Sequence, residues 1–246
     1  MAMASEALIG ARWSAERRFY LFATLAMAAV VFVGFARSFF LHPFFPDQPG
    51  APESFFAFHG TAFAAWFVLL VAQASLVTGG RLPLHRKLGV AGACLAATMV
   101  VLGVTGALIG AHRPAGFVAV PIPPLAFLVV PLVDMAFFAT LVTLAIVKRR
   151  DPQSHKHLML IASGGLLAAA FSRWPVVAAG GPIAFFAMAD LLIVALAIWD
   201  RKSSGRLHPV TKWAGGAAIL SQPLRLALAG TPLWLAFAGW AVNFAP

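Results

Sequence analysis

FYLFATLAMAAVVFVGFARSFFL, residues 19–41, is the stretch whose reading decides the fold. Arg12, Arg17 and Arg18 precede it, in the manner of a secretion signal. A cleaved signal carries an apolar region of about 7–15 residues. This run is longer, and as a helix it reaches across a hydrocarbon core of about 30 Å. It therefore reads as an uncleaved first membrane span.

Working outward, six further apolar segments have comparable length, at 56–78, 88–111, 124–147, 157–179, 182–199 and 211–230. Backbone groups in hydrocarbon must be satisfied within the segment, so all seven read as helices. The last apolar stretch continues to Phe244, too long for one simple span. Gly230-Thr231-Pro232 breaks it and leaves a short interfacial tail helix over 233–244. The expected architecture is an all-α integral membrane protein. It has a cytoplasmic N-terminal segment (1–18) and one seven-helix transmembrane domain (19–246).

Composition agrees. Hydrophobic residues make up 61% of the 246 and charged residues only 11%, with a mean hydropathy of +0.88. A soluble domain carries about 25% charged residues. The main partner is therefore the lipid bilayer. The net charge of +10 does not point to nucleic acid, because the basic residues follow the topology rather than one domain. Cys94 is the single cysteine, which excludes an internal disulfide and a cysteine-based zinc site.

The linkers set the orientation. Arg12, Arg17 and Arg18 precede the first span. Arg81, Arg86 and Lys87 join the second to the third. Lys148, Arg149, Arg150 and Lys156 join the fourth to the fifth, and Arg201, Lys202, Arg206 and Lys212 the sixth to the seventh. These are all but four of the 18 Lys and Arg residues. With seven spans they fall on one face, so the N-terminus is expected in the cytoplasm and the C-terminus outside. The opposite linkers, HPFFPDQPGAPES (42–54) and HRPAGFVAVPIPP (112–124), are proline-rich and read as stiff caps. They carry Asp47, Glu53 and, of the basic residues, only Arg113. Gly106-x-x-x-Gly110 fits close helix packing.

RRDPQSHKHLML (149–160) holds the most chemistry of any linker. The cytoplasmic linkers bring His85, His155, His157 and His208 to the starts of helices three, five and seven, and Asp151 and Asp200 lie in or beside them. Imidazole and carboxylate suit zinc, iron or manganese. Convergence of those helix starts would make a three- or four-ligand site. The plainer alternative is that interfacial linkers favour amphipathic side chains, with Pro209 after His208 marking a helix start. His155-x-His157 also lacks the i,i+3 or i,i+4 spacing of a helical ligand pair. For haem, His59 and His112 on the outer face are the candidates. His85 and His112 are 27 residues apart, about 40 Å along a helix, so a haem at each end would protrude from the core.

Four charges fall deep inside spans, away from their ends: Asp134, Arg173, Asp190 and Arg225. Each costs about 2.5–3.5 kcal/mol at the bilayer centre on insertion scales. Asp134 is about 15 Å from the outer face, Asp190 about 12 Å, and the two arginines about 8 Å. All four lie in the outer half, with His59 near them. They form either a polar cavity for a small molecule or a proton, or two structural ion pairs. Every lysine (Lys87, Lys148, Lys156, Lys202 and Lys212) lies in or beside a cytoplasmic linker, so none is placed inside a helix for a retinal Schiff base.

FHGTAFAAWFVLLVAQASLVTGGRLPLHRKLG (58–89), SHKHLML (154–160) and GRLHPVTKW (205–213) resemble a group of bacterial multi-pass inner-membrane proteins. The resemblance runs from helix two to helix seven, and it implies a location and an architecture only. Likeness to the cytochrome b561 type, with its paired axial histidines, is weak. The seven-span hydrolases share the topology and the metal idea but carry His-x-x-x-His on a helix, which is missing here. Three function classes follow. The first is a binding or redox-associated protein with a cytoplasmic-face metal site, which as an enzyme would act on a membrane-delivered substrate. The second is a small-molecule or proton-coupled transporter or receptor using the Asp/Arg pairs. The third is a non-catalytic subunit or assembly factor of a membrane complex, as homo-oligomer or with a partner.

Overall fold

The computed structural model describes residues 2–45, 54–113, 116–117 and 122–245, with side chains from residue 15 onward. Asp47, Glu53, the side chain of Arg12 and much of both proline-rich caps lie outside the described residues.

The chain is helical, and no strand occurs among the described residues. Helix α1 (Ala2–Phe35) runs into a π-turn (Ala36–Phe40) and a short 3-10 turn (His42–Phe44). Helices α2 (Ser54–Thr78) and α3 (Leu82–His112) follow. The next span is α4 (Pro124–Phe127) with α5 (Val129–Val147). The chain continues through α6 (Pro152–Gly165), α7 (Leu167–Phe171), α8 (Pro175–Ala178) and α9 (Gly181–Ser204). A second π-turn (Thr211–Gly215) opens α10 (Gly216–Ala229), and α11 (Pro232–Ala241) ends in a 3-10 turn.

Five helices are long and apolar enough to cross a membrane: Ala15–Phe40, Ser54–Thr78, Leu82–His112, Pro124–Val147 and Gly181–Ser204. A sixth crossing arises if Thr211–Ala229 and Pro232–Phe244, bent by 88°, count as one. The fifth predicted span, 157–179, is divided among α6, α7 and α8. Leu166 and the turn at Ser172-Arg173-Trp174 interrupt it.

Burial explains why that segment tolerates breaks. His157, Leu158, Leu160, Ile161, Ala162, Ser163, Leu167, Ala168, Ala170 and Phe171 are all buried. The segment packs against α1, α5 and α9 at the centre of the bundle. Irregular backbone at membrane depth survives where protein rather than lipid surrounds it. Trp66 Nε1 donates to Ser163 Oγ at 3.1 Å, which ties α2 to this inner segment.

Small residues set the close approaches. A Cβ on Gly34 would lie 2.6 Å from the carbonyl oxygen of Ala170, so α1 and α7 meet backbone to backbone. In the Gly106-x-x-x-Gly110 motif, a Cβ on Gly106 would lie 3.3 Å from His59 Nδ1. One on Gly110 would lie 2.9 Å from the Phe117 ring. The motif makes room for aromatic rings.

Candidate functional site

The predicted histidines lie at one end of the bundle, and the local fold of α6 sorts them. Asp151 caps this helix: its Oδ1 accepts from the backbone N–H of Gln153 at 3.1 Å and of Ser154 at 3.3 Å. The Ser154 hydroxyl donates to Oδ2 at 2.5 Å. Pro152 follows at the first helical position, where its missing N–H costs nothing. The Ser154 hydroxyl bond is the main reason that the Asp151 carboxyl sits below its ordinary range. His155 and His157 then stand two residues apart in the first turns, about 200° around the helix. They face opposite sides.

His155 turns toward α5 and donates from Nδ1 to the carbonyl of Ala145 at 2.9 Å. Its ring lies 6.5 Å from that of His85 on α3. The Gln73 amide, oriented to satisfy its neighbours, donates to His85 Nδ1 at 2.7 Å and accepts from Gly89 N–H at 3.1 Å.

His157 turns toward α1 and α9 and is 2% exposed. Its Nε2 donates to Asp200 Oδ1 at 2.8 Å, and its Nδ1 lies 2.6 Å from the carbonyl of Gln153. Both nitrogens thus face oxygen atoms. The Tyr20 hydroxyl lies 3.2 Å from Nδ1. Asp200, 3% exposed near the C-terminal end of α9, also gathers the next connection. Its Oδ2 accepts from the backbone N–H of His208 at 3.0 Å and from the Thr211 hydroxyl at 2.6 Å. Gly205, at φ +72°, ends α9 in the left-handed region that glycine favours and turns the chain back toward Asp200.

The His208 ring stacks on that of His157, with centroids 4.2 Å apart and planes 21° from parallel. Its Nδ1 accepts from the Val210 N–H at 3.2 Å, which places the ring proton on Nε2. Burial, and then the neighbouring His157, hold His208 below the ordinary histidine value. A cavity of about 590 Å³ opens beside these groups, lined in part by Glu16, His157, Trp199, Asp200, Arg206 and His208. Trp199 stacks on Phe19 at 4.6 Å. Glu16 accepts from Gln153 Nε2 at 3.0 Å and pairs with Lys156.

The six expected metal ligands thus divide three ways. Asp151 is a helix cap, His85 and His155 form one pair, and His157, Asp200 and His208 form another site. Among the described residues, no three His, Cys, Asp or Glu side chains form a group that could hold a metal ion. Both nitrogens of His157 and both oxygens of Asp200 are already engaged in hydrogen bonds.

The expected haem residues stand apart. His59 lies 3.3 Å through Nδ1 from the carbonyl of Leu102, and its ring neighbours are Phe55, Phe56 and Phe63. His112 is exposed in the last turn of α3.

The four intramembrane charges make one ion pair, not two. Arg225 Nη1 donates to Asp134 Oδ1 at 2.5 Å, and Nη2 donates to Ser221 Oγ at 2.8 Å. Its guanidinium lies 5.2 Å from the centre of the Phe186 ring. Asp190 accepts from Gln222 Nε2 at 2.8 Å. Asp134, Asp190, Gln222 and Arg225 line a small cavity of about 40 Å³ with the apolar residues of α6, α7 and α9. Arg173 is elsewhere. It donates to the carbonyl of Ala169 at 2.5 Å and lies over the Phe35 ring at 4.2 Å, with no carboxylate partner among the described residues.

Sequence reasoning did not single out Tyr20, Thr211, Gln222, Ser221 or Trp199. All are uncharged residues in or beside apolar runs, and only their neighbours reveal them. Comparison with protein families, curated proteins and solved structures gives no match.

Proposed function

We propose that this chain is a multi-pass protein of the bacterial inner membrane. In this reading its basic end is cytoplasmic, and the His157–Asp200–His208 cavity there binds a small molecule delivered from the membrane boundary. The orientation is supported by the excess of Lys and Arg at that end. The binding reading rests on one observation: a buried Asp–His pair, with a second imidazole stacked on it, lines a cavity of about 590 Å³. Ligand sites are concave, of about 300–1,000 Å³, and combine apolar walls with a few fixed polar groups.

The residues suggest what such a ligand offers. His208 presents Nε2–H, a donor, and Arg206 adds a cation. Trp199 supplies a flat apolar wall. A molecule with a planar or apolar body and acceptor oxygens fits these groups. Asp200 and His157 act by position: the carboxylate fixes the loop that carries His208, and the His157 ring supports it from below.

Two probes test the reading on detergent-purified protein by calorimetric titration: a decyl-tailed benzoquinone and dihexanoyl phosphatidic acid. Saturable binding of either one, weakened at least tenfold by His208→Ala and by Trp199→Ala, is expected. Binding of neither, or binding indifferent to both substitutions, overturns the proposal.

A second reading, a proton-coupled transporter, is favoured by the Asp134–Arg225 pair and the neighbouring Asp190 around a small, largely apolar cavity at membrane depth. Intramembrane ionisable residues commonly mark such paths.

A further inference from the structure

The cavity at membrane depth holds two carboxyl groups and one guanidinium. Asp134 on α5 takes the direct bond from Arg225 Nη1. Asp190 on α9 receives only the neutral amide of Gln222. Its second oxygen makes no hydrogen bond among the described residues, and Arg225 acts on it only from beyond ion-pair distance. Two ionised carboxylates here would leave the group with a net negative charge in an apolar setting. A charge so placed shifts its equilibrium and neutralises.

We infer that Asp190 is a proton-binding site, carrying one exchangeable proton while Asp134 stays ionised against Arg225. The two acids differ for a geometric reason. Arg225 is 6% exposed and already committed: Nη1 to Asp134, Nη2 to Ser221. Its remaining Nε is buried without a partner. The adjoining cavity of about 40 Å³ has room for a few waters, at roughly 10–15 Å³ of such volume each. Water there satisfies Arg225 Nε and gives the Asp190 proton an exchange partner.

No other titratable group competes. The cavity walls from α6 and α7 are Ile161, Ala162, Gly164 and Ala168, with Gly165 beside them, and α8 carries no titratable side chain. Lys212 of the second π-turn and Arg173, between α7 and α8, do not line the cavity. Among the other described side chains each carboxylate has its own donors: Glu16 with Lys156, Asp151 with Ser154 and Asp200 with His157. The inference concerns a site other than the His208 cavity and stands or falls separately from ligand binding there.

Infrared spectroscopy of the protein in nanodiscs at neutral pH reads the carbonyl stretch of protonated carboxyl groups directly. The wild type is expected to show one such band. Asp190→Asn removes it, and Asp190→Glu moves its frequency. Asp134→Asn also removes it, because the freed Arg225 ionises Asp190. A band that persists in Asp190→Asn, or a wild type without one, overturns the assignment. If Asp190→Asn does not fold, the Asp190→Glu shift, measured on protein with ¹³C-labelled aspartate, carries the same decision: no change on substitution refutes it.

Discussion

Replacing Asp200 tests the account of the basic-end site most sharply, because an isosteric amide and a truncation to a methyl group should differ in cost. Asp200 accepts three bonds, from His157 Nε2 at 2.8 Å, the His208 N–H at 3.0 Å and the Thr211 hydroxyl at 2.6 Å. Asp200→Ala leaves His157, 2% exposed, without its buried carboxylate partner. Removing one partner of a buried pair costs about 3–5 kcal/mol. Asp200→Asn is milder. The new amide keeps a polar group beside His157 Nε2 while the amide oxygen serves Thr211 and the His208 N–H. The remaining cost is the loss of charge assistance, about 1–2 kcal/mol. In a chain of this size each kcal/mol moves the melting temperature by about 2–4 °C. Thermal unfolding in detergent at pH 7, followed by tryptophan fluorescence, should therefore show a drop of about 6–20 °C for Ala and about 2–8 °C for Asn. Adding His157→Ala to Asp200→Ala should cost little more, since the pair is already broken. Equal losses for Ala and Asn, or full additivity of the double variant, would refute the paired geometry.

At membrane depth, Arg225→Met or Asp134→Leu alone should each destabilise by about 3–5 kcal/mol. The double variant should be less damaged than either, as denaturant titration in detergent would show. Gly34→Ala should lower the melting temperature by overpacking, about 1–3 kcal/mol, because the new methyl meets the Ala170 backbone rather than a movable side chain. For pH, the sign follows from His208, whose folded value lies below the ordinary one mainly through burial. The folded state binds fewer protons than the unfolded chain once pH falls below the ordinary value of about 6.5. Stability should thus be level above that point and fall as pH drops toward the folded value. His208→Gln should flatten the slope measured between pH 7 and pH 5.

Individual elements show how far the sequence could be read. Residues 19–41 announced their helix because every turn is apolar, and lipid allows no other backbone. The inner segment 157–179 is as apolar as its neighbours, so hydropathy alone returns one span. Its breaks were signalled only by Gly164-Gly165 and Pro175, and residues buried in protein obey weaker rules than residues facing lipid. The histidine linkers were legible as a polar end of the bundle. Their pairing was not, because it depends on rotation: two residues of separation put His155 and His157 in different sites. Depth along the helices brought Asp134 and Arg225 into the same half of the membrane. It put Arg173 there too, and the direction of each helix face separates Arg173 from the acids. Tyr20, Thr211 and Gln222 carry no charge to mark them, so nothing in the sequence distinguished them from ordinary polar residues in an apolar run.

The π-turn at Thr211–Gly215 links the two polar centres by residue counting. Its wider loop accommodates one residue more than an α-helical turn does. Thr211, inside it, reaches Asp200; Gln222 and Arg225, beyond it, reach Asp190 and Asp134. An α-helix advances about 100° per residue, so a one-residue deletion in this turn would swing Gln222 and Arg225 by about that angle relative to Thr211. A shortened chain would keep one centre aligned and lose the other. Changes at the exposed Lys212 and Trp213 are therefore tolerable where an insertion or deletion is not, because the length of the turn holds the two centres in register.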